Sequence, residues 1–460
     1  MAYSYAPKSL PKFDAHPNYD EYHDIFVKCR DCYLGEDRIK DQGENYLPAL
    51  PDQSAASYDI YKTRATFLNA FNRTITGLVG SVVRRPSSVT VPSSMEYLME
   101  DINLGGYDIQ TFIADLLREV FITGRVGILV DREENGRPYF CIYSAESIVD
   151  WNVARNNVSI EVNLIEEAGH HNQIQQIRRL SIDEGNYNVK ILRNNEDDEA
   201  VVAEEIYPQR RGDSLDFIPF TLINADNPGW SVCHPPLLDL ANVCLSHYRT
   251  SADLEAGRHY VSIPTPYIIG VDPEEFDTGV AIGPTSAIII PNEQAKVGFL
   301  EFAGVGLKSL EEALTQKEHQ MSVLGARVLE RVRTGVESAE AARIHQSSEL
   351  SILSAIVTEV EKGVTKALRM MSEWENQDPN EVEVKINRDF VDAKLNARDI
   401  QALVDAYLKG GVSLDTLVYN FKAGEILEDG TSVDEEISRI KPIERGESDV
   451  RRTDNIDGEY

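Results

Sequence analysis

The hydrophobic pattern changes period three times along the chain. Ile60, Phe67, Leu68, Phe71, Ile75, Leu78, Val79 and Val82 recur at helical spacing, and Arg84, Arg85 and Pro86 end the run. The two arginines suit the negative end of a helix dipole. A second helix is predicted over 109–123, with Phe112, Ile113, Leu116, Leu117 and Val120 as its apolar positions and Gly124 as its stop. The pattern then becomes alternating. GRVGILVD and RPYFCIYS flank the turn sequence Glu134-Asn135-Gly136. VSIEVNLIEE, HNQIQQIRRLSI, YNVKILRNN, AVVAEEIYP and FIPFTLIN follow with polar turns between them. An antiparallel meander is expected, which makes residues 1–235 an α+β region.

Helical spacing returns after Pro235-Pro236. Leu237, Leu240, Ala241, Val243, Cys244, Leu245, Tyr248, Ala252 and Leu254 carry a helix to about His259, with Pro236 in its first turn. A partner helix is expected from Ser309, where Ser309 and Glu312 match a capping box, to about Arg333. Leu310, Leu314, Met321, Leu324 and Val328 repeat near a seven-residue period and should lie at a helix–helix seam. Each helix would be about 24 residues, or about 36 Å, long. The stretch between them has its own short apolar runs, YIIGV and SAIIIP, and is too long for a structureless loop. It is expected to form a small α/β module at the far end of a two-helix stalk. A helical pair inside a globular core with a long loop is the plainer alternative.

Gly335 ends the second helix, and the longest helix runs from about Ser338 to Trp374 with a bend expected at Gly363. A short strand, EVEVKI, and two helices around Gly410-Gly411 complete the ordered pattern. The first 57 residues, rich in Tyr, Pro, Asp and Ser, are expected to form an extended arm with one helix around His23 to Leu34. Residues 425–460 hold twelve acids and five bases and are expected to be a mobile tail.

Composition narrows the possibilities. The chain is 42% hydrophobic and 26% charged, as folded proteins are, but 45 Lys+Arg against 76 Asp+Glu give a net charge of −31. Such acidity repels duplex phosphates and anionic lipid surfaces. No apolar run is long enough to span a membrane, and MAYSYAPKSLPKF has no apolar stretch that would make a secretory leader. The five cysteines, Cys29, Cys32, Cys141, Cys233 and Cys244, suggest free thiols in a reducing compartment.

No catalytic signature is present. Cys29-x-x-Cys32 has His23 nearby but no second ligand pair, so zinc is not expected. His170-His171 reads as a solvated turn. There is no phosphate-binding glycine loop and no G-x-S-x-G elbow, and Gly304-Val305-Gly306 lacks the rest of a dinucleotide fingerprint. Carboxylate pairs such as Glu133-Glu134 and Glu204-Glu205 carry little weight in a chain with 76 acids. The reading is a non-enzyme without cofactor or metal.

Three segments carry a resemblance: YKTRATFLNAFNRTITGLVGSVVRRP; LREVFITGRVGILVD with YSAESIVDW; and PLLDLANVCLSHYRTSADLEAGRHYVSIPTPYIIG. With SAEAARIHQSSELSILSAIVTEVEKGVTKAL, their order and extent resemble the portal proteins of tailed bacteriophages over about residues 58–430. Those proteins form a ring, usually of twelve subunits, at one capsid vertex, and duplex DNA passes through its centre during packaging and ejection. The resemblance implies an α+β wing at 58–235 and stem helices at 236–259 and 307–333, and it leaves the N-terminal arm at 1–57 uncovered. It implies a clip at 260–306, a tunnel loop at 334–337, the long wing helix and strand at 338–392 and a short crown at 393–430; the acidic tail at 431–460 lies outside it.

It further implies a virion location, with host cytoplasm during assembly. The partners would be copies of itself, the large terminase subunit, major capsid and scaffolding proteins, and a head-tail adaptor. Duplex DNA would pass through weakly and without sequence preference, and no membrane is involved. Arg331, Arg333, Thr334, Gly335 and Val336 would face the DNA, although the two arginines also suit a helix C-terminus. Asp272, Glu274, Glu275 and Phe276 would dock the partner, with Phe276 alternatively a core anchor. The competing reading is an acidic, carboxylate-based hydrolase with a helical appendage.

Overall fold

The computed structural model describes residues 14–440, except 133–135, 155–157, 169–173, 196–198, 228, 263–264, 271–294, 301–303, 327–338, 391–396, 425 and 428–431. The chain divides into two units, Met1–Phe390 and Val391–Tyr460.

The first unit opens with α1 (Pro17–Leu34) and α2 (Glu36–Asp41), followed by α3 (Ala55–Arg64) and α4 (Ala70–Val83). Much of the expected extended arm is thus helical, and it packs into the core: Phe26, Cys29, Cys32 and Ile39 in the helices and Leu47 after them are all buried. The hydrophobic pattern conceals this because α1 also buries charge. Arg30 lies under the surface between Glu119 and Glu146, and Asp31 receives Arg38 Nε at 2.7 Å and the Tyr46 hydroxyl at 2.8 Å.

The single helix expected over 60–82 is two. Asn69 ends the break between them by accepting the Asn72 N–H at 2.9 Å, capping α4. Arg84 and Arg85 both bridge Asp389, at 3.4 and 3.2 Å, so their role includes holding the chain that follows the last strand of this unit.

Next come β1 (Ser88–Thr90) and α5 (Ile109–Thr123). Asp108 caps α5 by accepting the Thr111 N–H at 2.7 Å, and Gly124 closes it in the left-handed region at φ 82°. The strands are β2 (Arg125–Arg132), β3 (Pro138–Ser144), β4 (Ile148–Val153), β5 (Ser159–Ala168), β6 (Ile174–Asp183), β7 (Asn186–Asn194) and β8 (Ala200–Ile206). A small hairpin, β9 (Gln209–Arg210) with β10 (Asp213–Ser214), precedes β11 (Phe220–Asn224).

The expected meander is split. β4 to β8 form a five-stranded antiparallel sheet in chain order, but β2 pairs with β3 on one side and with distant β11 on the other. β2 is thus the central strand, with both edges paired, and it is also buried on both faces, at every position from Arg125 to Val130.

The remaining elements of this unit are α6 (Leu238–Ser262), β12 (Thr265–Ile269), β13 (Lys296–Leu300), α7 (Val305–Met321), α8 (Ala339–Trp374) and β14 (Glu383–Lys385), which pairs with β1. α8 buries Leu353, Ile356, Val357, Val360, Val364, Leu368, Met371 and Trp374 against the core. It is helical on both sides of Gly363. A Cβ there would lie 2.3 Å from Ile223 Cγ1, so the glycine serves close packing on β11.

The second unit contains α9 (Ala397–Leu408), α10 (Leu414–Ala423) and α11 (Val433–Arg439). Gly410, at φ 75°, turns the chain after α9. α11 stands within the expected mobile tail, started by a Ser432/Glu435 capping box.

Candidate functional site

The helix pair α6–α7, with the strands β12 and β13 between its helices in the chain, carries most of the described residues that the sequence singles out. α6 is 25 residues long and starts just after Pro235-Pro236, with the Leu238 N–H bonded to Pro235 O at 3.1 Å. Its first two-thirds are clasped by the N-terminal segments. The Tyr61 hydroxyl donates to Asp253 at 2.6 Å, Arg249 Nε to Tyr46 O at 2.8 Å, and the Thr66 N–H to Ser251 Oγ at 3.2 Å. Leu240, Ala241, Cys244, Leu245, Tyr248 and Ala252 are buried there, whereas Tyr260 and Val261 in the last turn are exposed.

α7 runs antiparallel to α6. Gly304 faces Val261, Leu307 faces Gly257, Glu311 pairs with Arg258 at 2.8 Å, and Lys317 reaches Ser246 O at 3.1 Å. A Cβ on Gly257 would lie 2.6 Å from Leu307 Cδ2, so the glycine lets the helices approach closely. The helix begins four residues before the expected capping box. Gly304, at φ 62°, precedes it and Ser309 lies inside it.

α7 has 17 residues, after which the backbone widens into a π turn at Ser322–Ala326. Gly325 in that turn is pressed against Thr74 and Leu240. Met321 is buried, and Leu310 and Leu314 are half-buried. Leu324 departs from the expected seam and is 41% exposed, because a π turn does not continue the α-helical register. Val328 lies outside the described residues, as do Arg331, Arg333, Thr334, Gly335 and Val336, and Asp272, Glu274, Glu275 and Phe276.

His247 and Glu318 face each other between the helices at 3.6 Å. Burial lowers the His247 pKa, and the nearby Glu318 carboxylate offsets this only in part.

The antiparallel hairpin β12–β13 joins the outer ends of the pair, with Tyr267 opposite Gly298 and Ile268 opposite Val297. Tyr267, Ile269, Val297 and Phe299 are exposed, Ile269 at 60% and Phe299 at 56%. A two-stranded ribbon with uncovered apolar side chains is marginal in water by itself.

Elsewhere, the cysteine pair is accounted for by packing. Cys29 and Cys32 are buried free thiols, and burial pushes the Cys29 pKa up to about 12. Among the described residues no cluster of His, Cys, Asp and Glu has metal-binding geometry, and no helix is long and apolar enough to cross a membrane. His170-His171 lies outside the described residues. The buried carboxylates Glu119 and Glu146 share Arg30, with Arg30 Nη1 at 2.7 Å from Glu119 and Arg30 Nε at 3.0 Å from Glu146. Burial acts to raise the Glu146 pKa, but the charge and hydrogen bonds of Arg30 outweigh it and hold it below the usual carboxylate range.

The chain is an α+β protein in which helices are combined with antiparallel sheets. A family model described as a domain of unknown function, DUF4055, matches residues 236–375, from the start of the helix pair to the end of α8. No curated protein matches the sequence. Among solved structures, the chain is similar to one from the virion of a native gene transfer agent particle. That match has 11% identity and a TM-score of 0.41, covering 88% of this chain and 99% of the other. A chain from the neck of the native particle, computed with C12 symmetry, is similar at 12% identity and a TM-score of 0.38, covering 81% and 90%. An HK97 family phage portal protein from Corynebacterium diphtheriae is similar at 12% identity and a TM-score of 0.32, covering 75% and 98%.

Proposed function

We propose that the chain is the subunit of a phage portal ring, a non-enzymatic conduit for double-stranded DNA at a capsid vertex. The observation that carries this reading is the helix pair with its uncovered hairpin. α7 is backed by α6, while Tyr267, Ile269, Val297 and Phe299 are exposed, with no cover among the described residues. These apolar side chains call for neighbouring subunits. A head-to-tail interface that closes on itself gives a ring. The order of parts agrees with the sequence resemblance: an α+β core, an antiparallel helix pair with a hairpin at its outer end, and a long helix returning into the core.

The charge of −31 fits a channel wall better than a DNA clamp. Charged hydrogen bonds of about 1.5–3 kcal/mol each would have to break as the duplex advances. On this reading Arg331, Arg333, Thr334, Gly335 and Val336 form the loop nearest the DNA. Asp272, Glu274, Glu275 and Phe276 contact the packaging motor and later the adaptor. The hydrolase alternative requires a catalytic carboxylate pair, and the buried pair Glu119/Glu146 is committed to Arg30.

The test is the particle mass. A ring of about twelve subunits, visible by negative stain, is expected in place of a 51.5 kDa monomer. Monomer alone at micromolar concentration, at low and high salt, would overturn the reading. Within an assembled ring, Arg333→Ala should lower packaging yield while sparing assembly, and Glu274→Lys with Glu275→Lys should weaken motor binding.

A further inference from the structure

Among the described residues β11 has a hydrogen-bonded neighbour on one side only, since the order in its sheet is β11-β2-β3. The Ala225 N–H donates to Gly124 O at 2.8 Å, and the Val130 N–H donates to Pro219 O at 2.9 Å. Bonded and non-bonded positions alternate along an antiparallel pair. With Leu222 opposite Gly127, the Leu222 N–H and C=O therefore point away from β2. Among the described residues no hydrogen bond meets them.

A cleft of about 720 Å³ opens along this edge. Phe217, Phe220 and Trp230 line one side, and Lys362, Lys366 and Arg369 of α8 line the other. Most of its charges are engaged or local. Lys362 pairs with Glu359 at 2.7 Å, Glu361 holds Arg388 at 2.9 Å and the Ile386 N–H at 2.8 Å, and Arg369 reaches Val382 O at 3.5 Å. Asp216 and Glu373 also border the cleft. Lys366 differs from the other cations: among the described residues it has neither a hydrogen bond nor an ion pair. Its side chain is exposed, and the groups around it lower its pKa by partial desolvation.

We propose that this cleft is a docking groove for an extended acidic segment of a partner protein, which adds a strand to the free edge of β11 and sets a carboxylate against Lys366. Strand addition satisfies the outward Leu222 amide and carbonyl, while alternate side chains of the segment enter the aromatic wall. The unpartnered ammonium selects a carboxylate on the incoming strand. A nucleic acid is the poorer occupant, since a sugar–phosphate backbone has no alternating amide and carbonyl groups to pair with the free edge of β11. The proposal does not depend on the ring reading and applies equally to a single subunit.

The probes are fluorescein-labelled peptides that alternate Val or Ile with Glu, and counterparts that carry Lys in place of Glu. Full-length protein is titrated with each, and binding is read by anisotropy. Hydrogen exchange at the Leu222 amide is followed in parallel. The expected result is binding of the acidic peptide with slowed exchange at Leu222. Lys366→Glu should weaken that binding at least tenfold and favour the Lys peptide. Lys366→Gln, the milder change, should weaken it without unfolding the protein, as judged by an unchanged melting curve.

Equal binding of both peptides, or binding without protection of Leu222, overturns the proposal. So does no binding at millimolar peptide. Protection of Leu222 that rises with protein concentration and needs no peptide also overturns it, because the edge is then covered by a second copy.

Discussion

Gly363 of α8 sits directly on Ile223 of β11, so close that an added Cβ would lie 2.3 Å from Ile223 Cγ1. This contact sets the distance between the longest helix and the buried sheet. Gly363→Ala tests two opposed effects. Alanine improves helix propensity by about 0.8–1 kcal/mol, but overpacking a tight core contact costs roughly 1–3 kcal/mol. The steric effect should win, since Ile223 is itself buried in the core. Urea denaturation should show a net loss of stability with an unchanged m-value. A gain would mean that the contact relaxes freely.

Arg30 ties α1 to Glu119 of α5 and to Glu146. Removing one partner of a buried ion cluster costs roughly 3–5 kcal/mol, because the remaining charges stay buried without compensation. Arg30→Met should therefore lower the melting temperature sharply. Combining it with Glu119→Gln and Glu146→Gln should recover much of the loss, and a triple variant no better than Arg30→Met would contradict this account.

Arg125 makes the opposite case. It is 1% exposed, its Nε and Nη2 find no hydrogen-bond acceptor among the described residues, and its guanidinium lies 4.5 Å over the Trp151 ring. Burial pulls its pKa down to about 10. The cation–π contact returns about 2 kcal/mol or somewhat more at a desolvated site, set against a penalty of several kcal/mol for burying a full charge. Arg125→Met keeps the stem on Trp151 and removes the charge, so thermal unfolding should show equal or higher stability.

Acid should loosen the joint between α6 and α7. The folded His247 pKa lies below its ordinary 6.5, with burial as the leading cause. The unfolded chain therefore binds the proton more readily, and stability is greatest above pH 6.5 and falls as the pH drops through the folded value. Glu318 at 3.6 Å reduces the slope without reversing it. His247→Phe should flatten the dependence of melting temperature on pH between about 5 and 7. An unchanged slope would place the effect elsewhere, for instance at His16, whose pKa burial also lowers.

If the hairpin side chains face neighbouring subunits, Ile269→Asp and Phe299→Asp should shift the particle from ring to monomer without lowering the melting temperature of the monomer. Assembly that tolerates both charges would remove the hairpin from the interface. DNA offers a separate check. Gel shifts with linear duplex should show weak binding that fades further as salt rises. Nanomolar binding at physiological salt would point to a basic channel wall.

The sequence by itself determined the elements whose periodicity and end signals agree. α5 runs from Asp108 to Gly124 because both caps are local. The separate strand runs are legible from alternation, and the helix pair and α8 from their apolar stripes. The net charge and the lack of a catalytic motif likewise need no coordinates.

Tertiary structure decided what depends on distant partners. Arg30 and Asp31 read as polar surface until Glu119, Glu146, Arg38 and Tyr46 are brought around them, so the N-terminal helices could pass for an extended arm. The pairing of β11 with β2 crosses the whole five-stranded sheet in sequence, and no local pattern specifies it. Gly363 reads from the sequence only as a weak point in a helix, and its close contact with Ile223 on another element becomes visible only in the fold. The cleft beside Lys366 exists only because α8 passes the free edge of β11. An ion pair, a close contact or a groove is a relation between segments, and the energy that selects it comes from burial accomplished together.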